Sequence, residues 1–587
     1  MRTRTRSTQS GFTFVELIIV SAITVIIFGA LFSSFQYTLE VIALSRSKLS
    51  GLSLATERME FFRSLPYDNV GTVTGIIRGP IANNQTLTLN GIEFTERIVI
   101  DYVDGPGDGL GGADINGILE DYKQVKLEYT WELRGESYDL SLVTNIMPRS
   151  TETSVGGGSI RINVLDQDFV PLPGAVVQIS NASSTAPLYE SRVSNASGAV
   201  LLSGVPVDSN YQIVVGGPIS GRAYSTSSTY IADSSIPNPS SPAFSVSEGG
   251  ISTLAFIIDE LSDINITTLS TVVEGSESYL FSDTSQIATS TQTAVVSGDL
   301  VLADTLGVYE TTGTAYLSSI VPASLESWEV IRIAADLDSG TDFVAQLYTG
   351  AAASGYTLIP DSELPGNAAG FTDSLIDISG LDVGLYPTTT IGMRLSTTNT
   401  SATPEIDEVV VYWRESTTAR SGQSLFVRGD KILGTDSGGG PIYKASSTIT
   451  TDALGEAQLA AMEFDTYTIA TPSAYSLAAA CPAQPFVHRG GDDTDVELVY
   501  VPSVSDSLRV VVSDTIGRSV PGAEVRLNRA GYDVTQVTNT CGQTFFAGGV
   551  AAETDYDVTV SVPGYTSEVV TPVSIAGNTV VEITLAP

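Results

Sequence analysis

The chain has 587 residues, of which 66 are acidic and 28 are lysine or arginine, a formal net charge of −38. Its length suggests about four domains at roughly 150 residues each. A hydrophobic content of 42% is too high for a disordered acidic polymer. So acidic a surface argues against nucleic acid as a partner, because phosphate backbones demand clustered lysine and arginine. One histidine, His488, and two cysteines, Cys481 and Cys541, exclude a multi-histidine metal site or a zinc ribbon. Any serine–histidine–carboxylate triad would have to use His488. No catalytic residues are expected, and the chain reads as a non-enzyme.

The charge is unevenly spread. Residues 1–64 carry seven basic and four acidic residues, a net +3, while the remainder carries 21 basic and 62 acidic residues, a net −41. Arg2, Arg4 and Arg6 precede an apolar run from Leu17 to Phe35 without a single charge. That run is long enough to cross a hydrocarbon core of ~30 Å, with the basic end on the cytoplasmic side and the acidic body outside. Glu16 stands near the start of the run, where an ionisable group is costly and marks function, unless it snorkels to the headgroups.

The run Gly11–Phe12–Thr13–Phe14–Val15–Glu16 followed by an apolar helix resembles the class III signal of type IV prepilins and pseudopilins. The resemblance covers about the first tenth of the chain. It implies cleavage between Gly11 and Phe12 by a prepilin peptidase, N-methylation of Phe12, and a role for Glu16 in recruiting the subunit into a filament. The α-amino cation of a neighbour's Phe12 would neutralise Glu16 in an apolar filament core. The precursor would then be a single-pass protein of the cytoplasmic membrane, and the mature form extracellular or at the cell surface. Partners implied are the peptidase, other pilin or pseudopilin subunits with their assembly platform, and the membrane itself. Ser33 stands where many major pilins have a kinking proline, so a continuous helix is expected.

Helical periodicity persists to Leu65–Pro66, where proline ends it. Val41, Leu52 and Met59 define one apolar stripe, and Ala43, Leu54, Phe61 and Leu65 a second. Two stripes suit two partners, the protein's own globular part and neighbouring helices; a plain amphipathic stalk is the simpler alternative. Residues 1–11 thus read as leader and 12–66 as transmembrane and amphipathic helix.

Residues 67–150 read as a small antiparallel sheet with strands at 85–89, 91–103, 122–133 and 138–146. Between two of these lies an acidic glycine-rich loop containing Asp104, Asp108, Asp114, Asn116 and Asp121. These hard oxygen ligands suit calcium, the one cofactor the sequence raises. The loop departs from an EF-hand, since Gly112 falls at the first ligand position, and a solvated turn-rich hairpin would use the same residues.

After a linker at 151–158 an internal repeat begins. The segments 160–180 and 193–215 reappear as 508–527 and 537–560, with Pro173-Gly174-Ala175 matching Pro521-Gly522-Ala523 and Tyr211 matching Tyr556. A looser third copy runs through 451–470, with Gly455 at the turn glycine and Tyr467 at the tyrosine. Alternating apolar residues between such turns describe a Greek-key sandwich. The copies resemble carboxypeptidase regulatory-like domains, transthyretin-like sandwiches, which implies a fold and no catalysis. The domains expected are 159–260, 417–503 and 504–587 of this kind, with a larger jelly-roll-like sandwich at 261–416.

Sandwiches such as 261–416 often bind glycans through aromatics, here Tyr348, Tyr356 or Tyr386, although such residues more often pack in a core. Cys481 and Cys541 lie in adjacent copies of an exported body, which favours a disulfide between the last two domains, two separate thiols being the alternative. The fold class expected is α+β, mostly β: a long N-terminal helix, a small pilin-like sheet, then tandem Greek-key sandwiches. The function expected is a minor pilin or pseudopilin subunit displaying β domains for adhesion or partner binding; the alternative is an anchored surface protein that never polymerises.

Overall fold

The computed structural model describes residues 14–103, 120–148, 156–182, 187–351 and 355–587. The chain divides into two compact units, Met1–Ile258 with Gly434–Gly440, and Asp259–Leu433 with Pro441–Pro587. The fold is mostly β, with one long N-terminal helix.

In the first unit, α1 runs without interruption from Phe14 to Ser64, 51 residues or about 76 Å. No proline or glycine pair breaks it, and at Ser33 the hydroxyl bonds back to Gly29 O at 3.0 Å instead of kinking the chain. Pro66 prevents its continuation, and a single 3-10 turn, Tyr67–Asn69, follows. Four strands, β1 (Asn84–Leu89), β2 (Ile92–Val103), β3 (Tyr122–Leu133) and β4 (Glu136–Ile146), form an antiparallel meander in the order β1-β2-β3-β4. Alternation in β3 turns Lys123, Val125, Leu127, Tyr129 and Trp131 inward, where they share a core with Ala55, Met59 and Phe62 of α1.

The first repeat copy follows in the same unit. Its strands β5 (Gly158–Leu165), β6 (Val176–Asn181), β7 (Leu188–Val193), β8 (Ala199–Val205) and β9 (Asp208–Gly216) make two facing sheets. The central strand β5 pairs antiparallel with β8 and parallel with the last strand, Ile251–Ile257.

The second unit contains the other two copies, wired as the first is. In the C-terminal copy, Ser507–Asp514 pairs antiparallel with Gln543–Phe546 and parallel with Asn578–Leu585. In the middle copy the same central place belongs to the first half of an 18-residue strand, Ser262–Tyr279. Residues 264–269 pair parallel with Thr494–Pro502, and 262–267 pair antiparallel with Glu456–Met462. Ile264 and Ile266 are buried with Leu425, Tyr467 and Leu498.

The hydrogen bonds of the three copies correspond atom for atom. Val164, Thr268 and Val512 donate their N–H to Gly198 O, Gly455 O and Gly542 O at 2.7, 2.8 and 2.7 Å. Their carbonyls accept from the N–H of Leu172, Arg420 and Val520 at 2.9, 2.7 and 3.0 Å. A hydroxyl from Ser194, Thr451 or Thr538 then closes the start of the second strand, accepting from Ala175, Gln423 or Ala523 N–H at 2.9 Å in each case. The tyrosines Tyr211, Tyr467 and Tyr556 donate to Pro206 O, Glu463 O and Ala551 O at 2.6, 3.1 and 3.2 Å.

Where the two flanking copies pass from residue 164 to 172 and from 512 to 520, the middle copy passes from 268 to 420. A whole sandwich is therefore inserted between its first and second strands. The boundary expected at residue 261 lies instead within a strand: 262–269 belongs to the middle copy, and 272–279 pairs with Glu405–Ala419 in the inserted sandwich. The insertion buries Trp328, Phe281, Leu300, Phe343 and Met393 between that sheet and a five-stranded one.

Candidate functional site

The sequence points to α1 as the functional element, and its two halves have opposite surroundings. From Ala22 onward α1 qualifies by length and composition to cross a membrane, with a mean hydropathy of 1.6 in its most apolar window and none of that window buried. Val25, Ile26, Phe28, Leu31, Phe32 and Phe35 are each at least 60% exposed, so none of the described residues covers this apolar surface.

The second half is docked on the sheet. Ser47, Ser50, Gly51, Ala55, Met59 and Phe62 form the buried stripe, with Leu54 and Leu65 at its margin. This corrects the expected stripes: Met59 is buried, but Leu52 and Phe61 are more than 40% exposed. Small residues carry the contact because they let the helix approach the sheet. A Cβ on Gly51 would stand 3.3 Å from the Phe94 ring. Arg58 pairs with the fully buried Glu96 at 3.4 Å, and the Tyr129 hydroxyl donates to the same carboxylate. Arg63 Nε donates to Thr144 Oγ1 at 3.2 Å, and Asn90 Nδ2 to Ser50 Oγ at 2.9 Å.

Lys123 is the charged exception on the inner face of β3. Its ammonium donates to Tyr67 O and Val70 O, both at 2.9 Å, and lies 4.4 Å from the centre of the Tyr67 ring. It thereby adds a second donor to Tyr67 O, which already accepts from Val70 N–H at 3.1 Å, and supplies one to Val70 O beyond the 3-10 turn. Burial lowers its pKa to about 8.

Gly11 and Phe12 lie outside the described residues, and Glu16 falls within α1 at a position whose side chain is also outside them. Asp104, Asp108, Asp114 and Asn116 are likewise outside. Asp121 is described, immediately before β3, its N–H donating to Val103 O at 3.2 Å. Among the described residues no group of three or more histidine, cysteine, aspartate or glutamate side chains is placed to hold a metal.

Cys481 and Cys541 are joined as a disulfide, with Cα atoms 5.7 Å apart, between the middle and C-terminal copies. The same junction contains Ala480 N–H donating to Gln543 Oε1 at 3.0 Å and Ser476 Oγ donating to Asn578 Oδ1 at 3.1 Å. Glu274 of the insertion accepts from Thr540 Oγ1 at 2.8 Å, so three domains meet beside the bridge. His488 is fully buried, its ring nitrogens 3.1 Å from Ser262 Oγ and 2.8 Å from Thr494 Oγ1. Burial lowers its pKa, which favours the neutral ring. Ser262 and His488 stand as a serine–histidine pair, both of them buried.

The aromatics named for glycan binding separate. Tyr348 and Tyr356 gather with Tyr316 over Gly392 on the five-stranded sheet, Tyr316 and Tyr356 stacking at 4.1 Å between ring centres. The rings cover one another, which leaves little free face. Tyr386 packs against the core of the insertion and accepts from Trp328 Nε1 through its carbonyl at 2.8 Å.

Comparison with known proteins gives one informative match. Residues 6–32 match the family model described as a prokaryotic N-terminal methylation motif. No curated protein matches the chain. Among solved structures, similarity extends to the Bacillus anthracis TIE protein, at 11% identity over 86% of this chain and 73% of that one, with a TM-score of 0.16. It extends also to BcpA, the major pilin subunit of Bacillus cereus, at 9% identity over 73% and 99%, with a TM-score of 0.14. The shaft pilin SpaA from Lactobacillus rhamnosus GG follows at 14% identity over 29% and 87%, with a TM-score of 0.12. Overlaps this poor carry no argument about either fold or role. The methylation motif does, and it leads into the apolar half of α1: the chain carries a prokaryotic N-terminal methylation motif at residues 6–32.

Proposed function

We propose that the chain is a minor pilin or pseudopilin subunit of a type IV pilus or a type II secretion-like filament, with its β domains displayed at the cell surface for adhesion or partner binding. The observation that carries this reading is the division of α1. Its methylation motif leads into an uncovered apolar half, while its second half is fixed to a sheet by a stripe of small residues. Such a helix suits insertion in a membrane before assembly and packing among other helices afterwards.

The precursor would sit in the cytoplasmic membrane with Arg2, Arg4 and Arg6 inside. A prepilin peptidase would cut between Gly11 and Phe12, Phe12 would be methylated, and Glu16 would meet the new α-amino group of a neighbouring subunit. Three repeat copies and an inserted sandwich on one helix hinder dense helical packing, which favours a minor and tip-located subunit over the major one. The second reading, an anchored surface protein that never polymerises, shares the uncovered helix and differs at its N-terminus. N-terminal and intact-mass analysis of the mature protein separates the two. Methyl-Phe12 is expected, and Glu16→Ala should keep the protein in the membrane while abolishing its recovery in sheared filaments. Retention of residues 1–11, or normal assembly of Glu16→Ala, would refute the filament reading.

A further inference from the structure

In the first unit a cleft of 450 Å³ opens between the four-stranded sheet and the first repeat copy, a size within the ~300–1,000 Å³ of small-molecule sites and at a domain joint, where such sites concentrate. Its floor is the solvent face of β6 and β7. Gln178 pairs with Ser191 and Ser180 with Tyr189 across the two strands, so all four side chains emerge on the same side. The opposite wall carries Asn84 and Arg97, which are themselves cross-strand partners in β1 and β2.

The joint is held by charges that are already engaged. Arg97 Nη1 donates to Glu128 at 2.6 Å and its Nη2 to Ser191 O at 2.5 Å. Glu190, buried under the floor, accepts from Ile76 N–H at 3.0 Å and pairs with Arg192, which also pairs with Asp101 of β2. What the cleft leaves open is neutral. The carboxamides of Asn84 and Gln178 and the hydroxyls of Ser180, Ser191 and Tyr189 make no hydrogen bond to any described residue. The Tyr189 ring is 55% exposed at the rim.

We propose that this cleft binds an uncharged oligosaccharide. Carboxamides and hydroxyls both donate and accept, which matches the paired donor and acceptor character of sugar hydroxyls. An exposed phenol ring offers a face to the C–H side of a pyranose. A polyanion would meet a guanidinium already paired with carboxylate on a chain of net charge −38. An apolar ligand would leave five polar groups unpaired. The inference supplies a ligand class for the display role and rests on that reading for its biology, but the binding itself requires neither cleavage nor polymerisation.

The test uses the full-length protein in detergent on a printed panel of neutral gluco-, galacto- and manno-configured tri- and tetrasaccharides, beside sialylated and sulfated sugars of the same length. Titration calorimetry follows on the strongest binder. Retention of a neutral sugar is expected, weakened at least ten-fold by Tyr189→Ala and by Gln178→Ala and unchanged by Tyr356→Ala in the insertion. Both cleft positions are solvent-facing, and unchanged circular dichroism would show that the variants fold. No retained neutral sugar, retention of charged sugars alone, or binding indifferent to both cleft variants would each overturn the proposal. Saccharide binding together with a mature cellular protein that lacks methyl-Phe12 would refute the filament and leave the cleft standing; a mature protein bearing methyl-Phe12 without saccharide binding would do the reverse.

Discussion

Ile266→Ala tests whether the strand before the inserted sandwich belongs to the domain that resumes after it. Ile266 is 1% exposed and packs with Leu425, Tyr467 and Leu498. Removing three buried carbons at ~0.8 kcal/mol each costs ~2.4 kcal/mol, and the cavity left behind raises the loss to about 4 kcal/mol. Because several domains share the chain, a single melting temperature would blur the result, and local hydrogen exchange is the suitable assay. At 1.4 kcal/mol per factor of ten, slow amides in 424–502 should exchange about 50-fold to 700-fold faster. Peptides from 312–397 in the insertion should change little. Val273→Ala, on the same strand but 41% exposed, is the control and should stay within about 0.5 kcal/mol of the parent. Faster exchange confined to 312–397, with 424–502 untouched, would refute the assignment.

Gly455→Ala should destabilise the middle copy by more than about 1 kcal/mol, because its φ is +79° and a Cβ would stand 2.6 Å from Thr268 O; proteolysis within 424–502 should report it. Cys541→Ser opens a bridge with a sequence separation of 60, worth up to about 4 kcal/mol by chain entropy. Faster exchange in 507–585 would register that loss, and unchanged protection would show that the polar contacts at the junction suffice. In the insertion, burial, a hydrogen bond with Asp299 and the charges of Asp336, Asp299 and Glu405 raise the Asp407 pKa to about 6. The native state therefore holds a proton that the unfolded chain, at about 4, releases, so stability falls as pH rises from about 4 to 6. Asp407→Asn should flatten that slope in the hydrogen-exchange protection of 312–397, and an unaltered slope would refute the assignment.

The methylation motif was legible because a short, position-specific run stands directly before an apolar helix. The repeat was legible because Gly198, Gly455 and Gly542 occupy a turn with φ between +66° and +79° that side chains avoid. The insertion was not, since its boundary falls inside the single strand 262–279, where only a local break of alternation at Thr268–Leu269 and a register shift after Leu269 mark the passage from one domain to the next. The docked stripe of α1 escaped for a related reason. Apolar periodicity looks for large residues, whereas Ser47, Ser50, Gly51 and Ala55 achieve the contact by being small. The cleft was beyond sequence reasoning altogether, because Asn84 and Gln178 are ordinary surface residues until two domains bring them together.

The parallel pairing of first and last strands has a mechanical consequence. A load across the first copy pulls β5 and Ile251–Ile257 in opposite directions along their length, shearing seven register pairs together instead of unzipping them singly. The C-terminal copy shares such a load over eight pairs and the middle copy over six. In the middle copy tension entering at Ser262 crosses directly from 264–269 to 494–499, so the inserted sandwich, though within the chain, hangs beside the line of force. It stays slack, and free to keep its shape, until that shear contact gives way.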